Sequence, residues 1–206
     1  MASAEQILRK HWLMGRVTNK TLCHTVRVVD LCCELKDFLE SKEIKVNWEY
    51  LEAAALLHDI AKKLDDKNHQ NPFIVENALE HDSLNVRKSI VTHIIMYHKL
   101  NGHRKFNPGY FKLECAILCI CDKLDKLNKV WEDIKEEGSK ARKFRNEMLE
   151  SILKCFKYLQ KISKEKALTY KEFDILFTFS MNKIIELFHS PQHPINSKHF
   201  RHIYVR

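Results

Sequence analysis

The sequence has few of the residues that break helices: of 206 residues, four are glycine and four are proline. Strand-and-turn folds need such residues at their corners, so their scarcity argues for helices joined by short loops. No apolar run approaches the roughly 18 residues of a membrane span; the longest, Cys115 to Cys121, has seven. The start of the chain lacks the charged head, apolar centre and small-residue cleavage site of a secretory signal. The seven cysteines follow no framework spacing and include no Cys-x-x-Cys pair, which argues against a disulfide scaffold or a thiolate metal site. A cytoplasmic protein with reduced, buried thiols and no membrane partner is expected. A glycine-rich phosphate loop, a Gly-x-Ser-x-Gly elbow and a His-Glu-x-x-His motif are also missing.

What is present is ordinary in bulk: 45% hydrophobic and 30% charged residues, the balance of a soluble globular domain. The formal net charge is +8, and nine Lys and Arg face three Glu between Gly138 and Lys166. That bias fits a solvated helical face, or attraction for a polyanion such as a nucleotide or nucleic acid. Charge alone does not choose between them.

Helical periodicity runs along nearly the whole chain. Ser3-x-x-Gln6 resembles a capping box opening a short helix that ends near Gly15. A second helix is expected from about Thr18 to Lys42. A third starts after Asn47 as N-cap and continues through His58-Asp59 to about Leu64. Pro72 suits the first turn of a short helix ending near Glu80. Asp82 or Ser83 is expected to cap the next, which runs to about Leu100 and gives way to a loop over Asn101–Gly109. Long helices follow over Tyr110–Glu137 and Ala141–Ile162. Thr169-x-x-Glu172 opens a last helix ending near His189. A basic, histidine-bearing tail closes the chain at 190–206. The expectation is one all-α domain over 1–206, with a helical extension at about 140–190.

His58-Asp59 stands in the middle of the apolar stretch Leu51 to Lys63, where desolvating two polar groups without partners costs several kcal/mol. At about 100° per residue, His24 lines up with Val17, Val28, Leu31 and Leu35 on the second helix. His58 lines up with Leu51, Ala54 and Ala55, and Lys62 projects from the same side. On the long helix, Asp122 continues the stripe of Phe111, Cys115, Leu118 and Cys119. Three helices each push a ligand-type residue out of an apolar face. A shared cation would compensate all of them.

The ordered set His24, His58-Asp59 and Asp122 resembles the HD superfamily of metal-dependent phosphohydrolases. The local wording agrees. His24-Thr-x-Arg-Val is similar to the common context of the first His, and His58-Asp-Ile-Ala-Lys62 to the family's His-Asp-Ile-Gly-Lys. Ile120-Cys-Asp-Lys-Leu-Asp125 is similar to its Ala-Asp-Lys-Leu-Asp ending, with Cys121 where alanine is typical. The resemblance covers about residues 18 to 130 and implies an HD-type helical bundle. It also implies one or two divalent ions and a metal-activated water attacking phosphorus.

Two-metal members carry two further histidines between the doublet and the last Asp; here the candidates are His69, His81, His93 and His98. His93 and His98 lie about 140° apart on a helix, and His98 is nearer the axis of its apolar stripe. His81 is placed too far along to share a site with His98. His69, before a helix that folds back on the His98 helix, can approach it. Asp59 would then bridge two ions, with His24, His58 and Asp122 completing one and His69 and His98 the other. Mixed imidazole and carboxylate donors suit Fe, Mn, Co, Ni or Zn. Asp59 and Lys62 are the candidate catalytic residues, and Lys62, Lys99, Arg104 and Lys123 are candidate phosphate contacts. The leading expectation is hydrolysis of a nucleotide or related small phosphate ester. A phosphodiesterase or nuclease of the same fold and a non-catalytic regulatory module are the alternatives.

Overall fold

In the computed structural model, residues 1–98, 109–136, 157 and 168–189 are described, and side chains only outside 109, 128–136 and 187–189. The expected helix at 141–162 apart from residue 157, the loop at 101–108, Lys99, Arg104 and the tail from 190 lie outside the described residues.

Ser3 caps α1 (Ala4–Leu13) through the expected reciprocal box with Gln6. The helix is stopped by Gly15, whose φ of +67° is the left-handed conformation glycine adopts most freely. Gly15 N–H donates to Trp12 C=O and Arg16 N–H to His11 C=O, which satisfies the last carbonyls. Thr18 caps α2 (Asn19–Glu40). Next come α3 (Trp48–Leu57) and α4 (Pro72–Ala78, with Pro72 in its first turn). Then follow α5 (Lys88–Tyr97) and α6 (Lys112–Glu136, entered through a single 3-10 turn at Gly109–Phe111). The last described helix, α7 (Tyr170–His189), carries the Thr169–Glu172 box at its start. The fold is all-α. Among the described residues no helix is long and apolar enough to cross a membrane.

α3 is central and packs against α1, α2, α5 and α6, while α7 lies on α6 and α2. Ala53, Ala54 and Ala55 are buried, and their small side chains let neighbouring helices come close. Every residue from Cys115 to Cys121 on α6 is fully buried, so the apolar run is core. The cysteines of the described residues are free thiols.

Two boundaries differ from expectation. α3 ends at Leu57, not near Leu64; residues 58–64 form successive tight turns. His58 Nδ1 donates to Ala55 C=O at 2.7 Å, so the ring itself satisfies a carbonyl of the last helical turn. α5 begins after Arg87 rather than at Asp82 or Ser83. Asp82 is instead held by α1, taking Lys10 Nζ at 2.6 Å and His11 Nε2 at 2.7 Å. Beside it Ala2 pairs with the backbone of Ser83 and Asn85. These contacts pin α1 to the segment before α5. Asp82→Ala is expected to lose about 2 kcal/mol, as charge-assisted bonds to a buried carboxylate do, read as a lower urea midpoint with unchanged slope.

Candidate metal centre

The side chains that converge come from helix ends and helix middles. His24 lies within α2 and Asp122 within α6. His58 is the C-cap of α3 and His98 the C-cap of α5. Asp59 follows His58 directly, and His69 sits in the turn before α4. All of them are buried.

Hydrogen bonds fix which ring nitrogen faces inward. His58 Nδ1 donates to Ala55 C=O, His98 Nδ1 to Ile95 C=O at 2.6 Å, and His69 Nδ1 to Asp66 C=O at 2.8 Å. A carbonyl can only accept, so each Nδ1 carries a proton and each Nε2 is turned inward; burial keeps His58 and His98 neutral, so their Nε2 atoms hold a lone pair. His24 Nδ1 faces Asp125 Oδ2 at 2.6 Å, which leaves its Nε2 directed inward as well.

The inner atoms form two groups that share Asp59. His24, His58 and Asp59 each offer a donor atom within 4.8 Å of the others, and so do Asp59, His69 and His98. His24 Nε2 lies 3.2 Å from His58 Nε2, 3.6 Å from Asp59 Oδ2 and 3.2 Å from Asp122 Oδ1. His58 Nε2 is 3.9 Å from both Asp59 Oδ2 and Asp122 Oδ1. The other oxygen of Asp59, Oδ1, is 2.9 Å from His69 Nε2. The His98 ring lies 5.5 Å from that of His69 and 5.3 Å from that of His58.

Two of these atoms have no hydrogen-bond partner although they are buried: His98 Nε2 and Asp122 Oδ1. His24 Nε2 is near Asp122 Oδ1, but its contact is directed to His58 instead. An orphaned lone pair in a buried site carries a desolvation cost. Coordination to a cation would satisfy both, so these residues fit a divalent metal.

The electrostatics agree. Burial pushes His58 and His98 below the ordinary imidazole range, so both stay neutral. Burial would also depress His24, but Asp122 and Asp125 outweigh it and hold its pKa up to about 9. Burial would raise the carboxyls of Asp59 and Asp122. Neighbouring imidazoles with Lys62 for the first, and His24 with Lys126 for the second, keep both well below their usual range. A proton on His24 Nε2 thus stands among the donors that would hold a cation, and the two compete.

Other candidates fall out unevenly. Lys62 Nζ bonds Asp59 Oδ2 at 2.8 Å, with its side chain one-third exposed at 34%. Lys123 Nζ approaches Asp122 Oδ2 to 3.9 Å. His81 is exposed beside Glu80, and His93 packs its ring on Tyr97. Neither joins the two groups. Sequence reasoning gave no role to Asp125, Arg27 and Lys126. Asp125 holds His24 and is itself gripped by Arg27 Nε and Nη2. The signal was there: Arg27 follows His24 by one helical turn, and Asp125 follows Asp122 likewise.

A family model described as "HD domain" matches residues 21–127, the span that contains every residue of both groups. Neither a curated protein nor a solved structure matches the chain.

Proposed function

We propose, from the premise that the chain belongs to the HD-domain family, that it is a metal-dependent phosphohydrolase acting on a nucleotide or related small phosphate ester. The observation that carries this reading is the convergence of inward imidazole nitrogens and two buried carboxylates, with His98 Nε2 and Asp122 Oδ1 left without partners. His24, His58, Asp59 and Asp122 would hold one ion, and Asp59, His69 and His98 a second. Such donors suit Fe, Mn, Co, Ni or Zn. A bound divalent cation lowers the pKa of its water towards neutrality and neutralises phosphate charge.

The chain's own residues do the rest. The carbonyls of Ala55 and Ile95 hold the His58 and His98 protons on Nδ1, so the inward nitrogens of these two rings stay available. Asp125 and Arg27 orient His24. Lys62, partly exposed at the edge of the centre, would meet a phosphate oxygen, and Lys123 is half-buried nearby.

Metal analysis of the purified chain by mass spectrometry, followed by a nucleotide panel with the metal found, tests the proposal. The expected result is one or two equivalents of a transition metal and phosphate release that stops on chelation. Absence of bound metal together with no hydrolysis would overturn it. The nuclease alternative draws on the nine basic residues between 138 and 166. It would appear as binding to polymer that falls steeply with added salt, which a small substrate would not show to that degree.

A further inference from the structure

We propose that Lys126 is a positioning residue: it anchors the outer oxygen of Asp122 so that the inner oxygen is presented to the metal as a single donor. The inference rests on the phosphohydrolase reading only in requiring that a metal binds.

Asp122 is 1% exposed, and its two oxygens have different surroundings. Oδ1 is orphaned and faces His24 Nε2 at 3.2 Å and His58 Nε2 at 3.9 Å. Oδ2 accepts from Lys126 Nζ at 2.6 Å, with Lys123 Nζ further off at 3.9 Å. A carboxylate whose one oxygen is held by an ammonium cannot swing freely about its terminal torsion, so the anchor selects which oxygen points inward. The same arrangement cannot apply to Lys62. Its partner oxygen, Asp59 Oδ2, lies 3.6 Å from His24 Nε2 and belongs to the ligand group itself. An ion there competes with Lys62, whereas it leaves the Lys126 contact in place.

Lys126 is one helical turn beyond Asp122, and its side chain is 46% exposed. The bond spans from surface to core with few packing consequences. Its removal disturbs the orientation of a ligand, and it also leaves a buried carboxylate oxygen without its donor. Partners that orient metal ligands typically account for about 10- to 100-fold in metal affinity.

The test is a Co2+ titration followed by the visible absorption of the bound ion, on the parent chain, Lys126→Met and Lys126→Arg. Lys126→Met is expected to weaken Co2+ binding about tenfold or more and to alter the band shape, with a lowered metal-free melting temperature because Asp122 Oδ2 loses its donor. Lys126→Arg is expected to restore most of the affinity, because a guanidinium can take the same oxygen. Unchanged Co2+ affinity in Lys126→Met overturns the inference, and a raised KM with that affinity intact would reassign Lys126 to substrate contact. An equal loss in both variants also overturns it. If the parent chain itself takes up no Co2+, the metal-centre reading fails instead, so the two failures are distinguishable.

Discussion

Asp59→Ala is expected to strip the metal from the protein and to lower phosphate release by roughly a thousandfold, about 4 kcal/mol of transition-state stabilisation. Asp59 is the one residue common to both donor groups. Its Oδ1 serves the His69 side and its Oδ2 the His24 side. Among the described residues, the other carboxylate of the centre, Asp122, is already turned towards His24 and His58 and cannot take over both directions. Loss of the side chain also leaves Lys62 and the inward nitrogen of His69 without their partner. Asp59→Asn keeps the volume but removes the charge, and should show most of the same loss. Metal content per chain and single-turnover hydrolysis are the readouts, with circular dichroism to establish that the helices survive. Full metal content in the alanine variant would remove the basis for an enzyme and favour a non-catalytic module.

Chelation of the loaded protein is expected to lower its melting temperature by roughly 10 °C at pH 8, and by less near pH 6.5. An ion present at a thousand times its dissociation constant adds about 4 kcal/mol to the folded state. Each kcal/mol is worth roughly 2–4 °C for a chain of this size. The pH dependence follows from His24. Its pKa in the metal-free fold, about 9, lies above the ordinary 6.5. A raised pKa contributes stability that is complete below 6.5 and is lost as pH rises through about 9, a span of roughly 3 kcal/mol. His58 and His98 are depressed instead, so their contribution changes below 6.5 and leaves this window untouched. The metal-free protein therefore weakens between pH 6.5 and 9, while a bound ion has already displaced the His24 proton. Calorimetric scans of both forms across that range should show the gap widening with pH. A constant or shrinking gap would contradict the assignment of His24 to the ion.

The fold was readable because its helices announce themselves at their starts. Ser3, Thr18, Pro72 and the Thr169–Glu172 pair open helices where their chemistry says they should. The start of α5 and the end of α3 were less legible, because tertiary partners decide them. Nothing local shows that Asp82 will be claimed by Lys10 and His11, residues about seventy positions away. Nor does periodicity reveal that the turns after Leu57 tighten, since Ile60 and Ala61 are still buried and continue the apolar pattern. His24, His58 and Asp122 stood out as polar groups on apolar faces, which single-helix arithmetic detects. His69 was reachable only through the hairpin that α4 makes with α5. Asp125 and Arg27 stood inside the matched motifs without a role, and Lys126 went unnoticed, because a charged residue one turn from another reads as a surface pair until its partner proves to be buried.

The carbonyl bonds of His58 and His98 tie the dimensions of the centre to the lengths of α3 and α5. Each ring is registered to the residue three positions before it, so the connecting turns do little of the measuring. Lengthening an exposed connection such as the one around Lys67 would leave those two rings where they are. Inserting a single residue within either helix would rotate everything beyond it by about 100° and advance it by about 1.5 Å, turning a ligand away from the centre. Among related chains, length variation should therefore collect between these helices and be purged from within them.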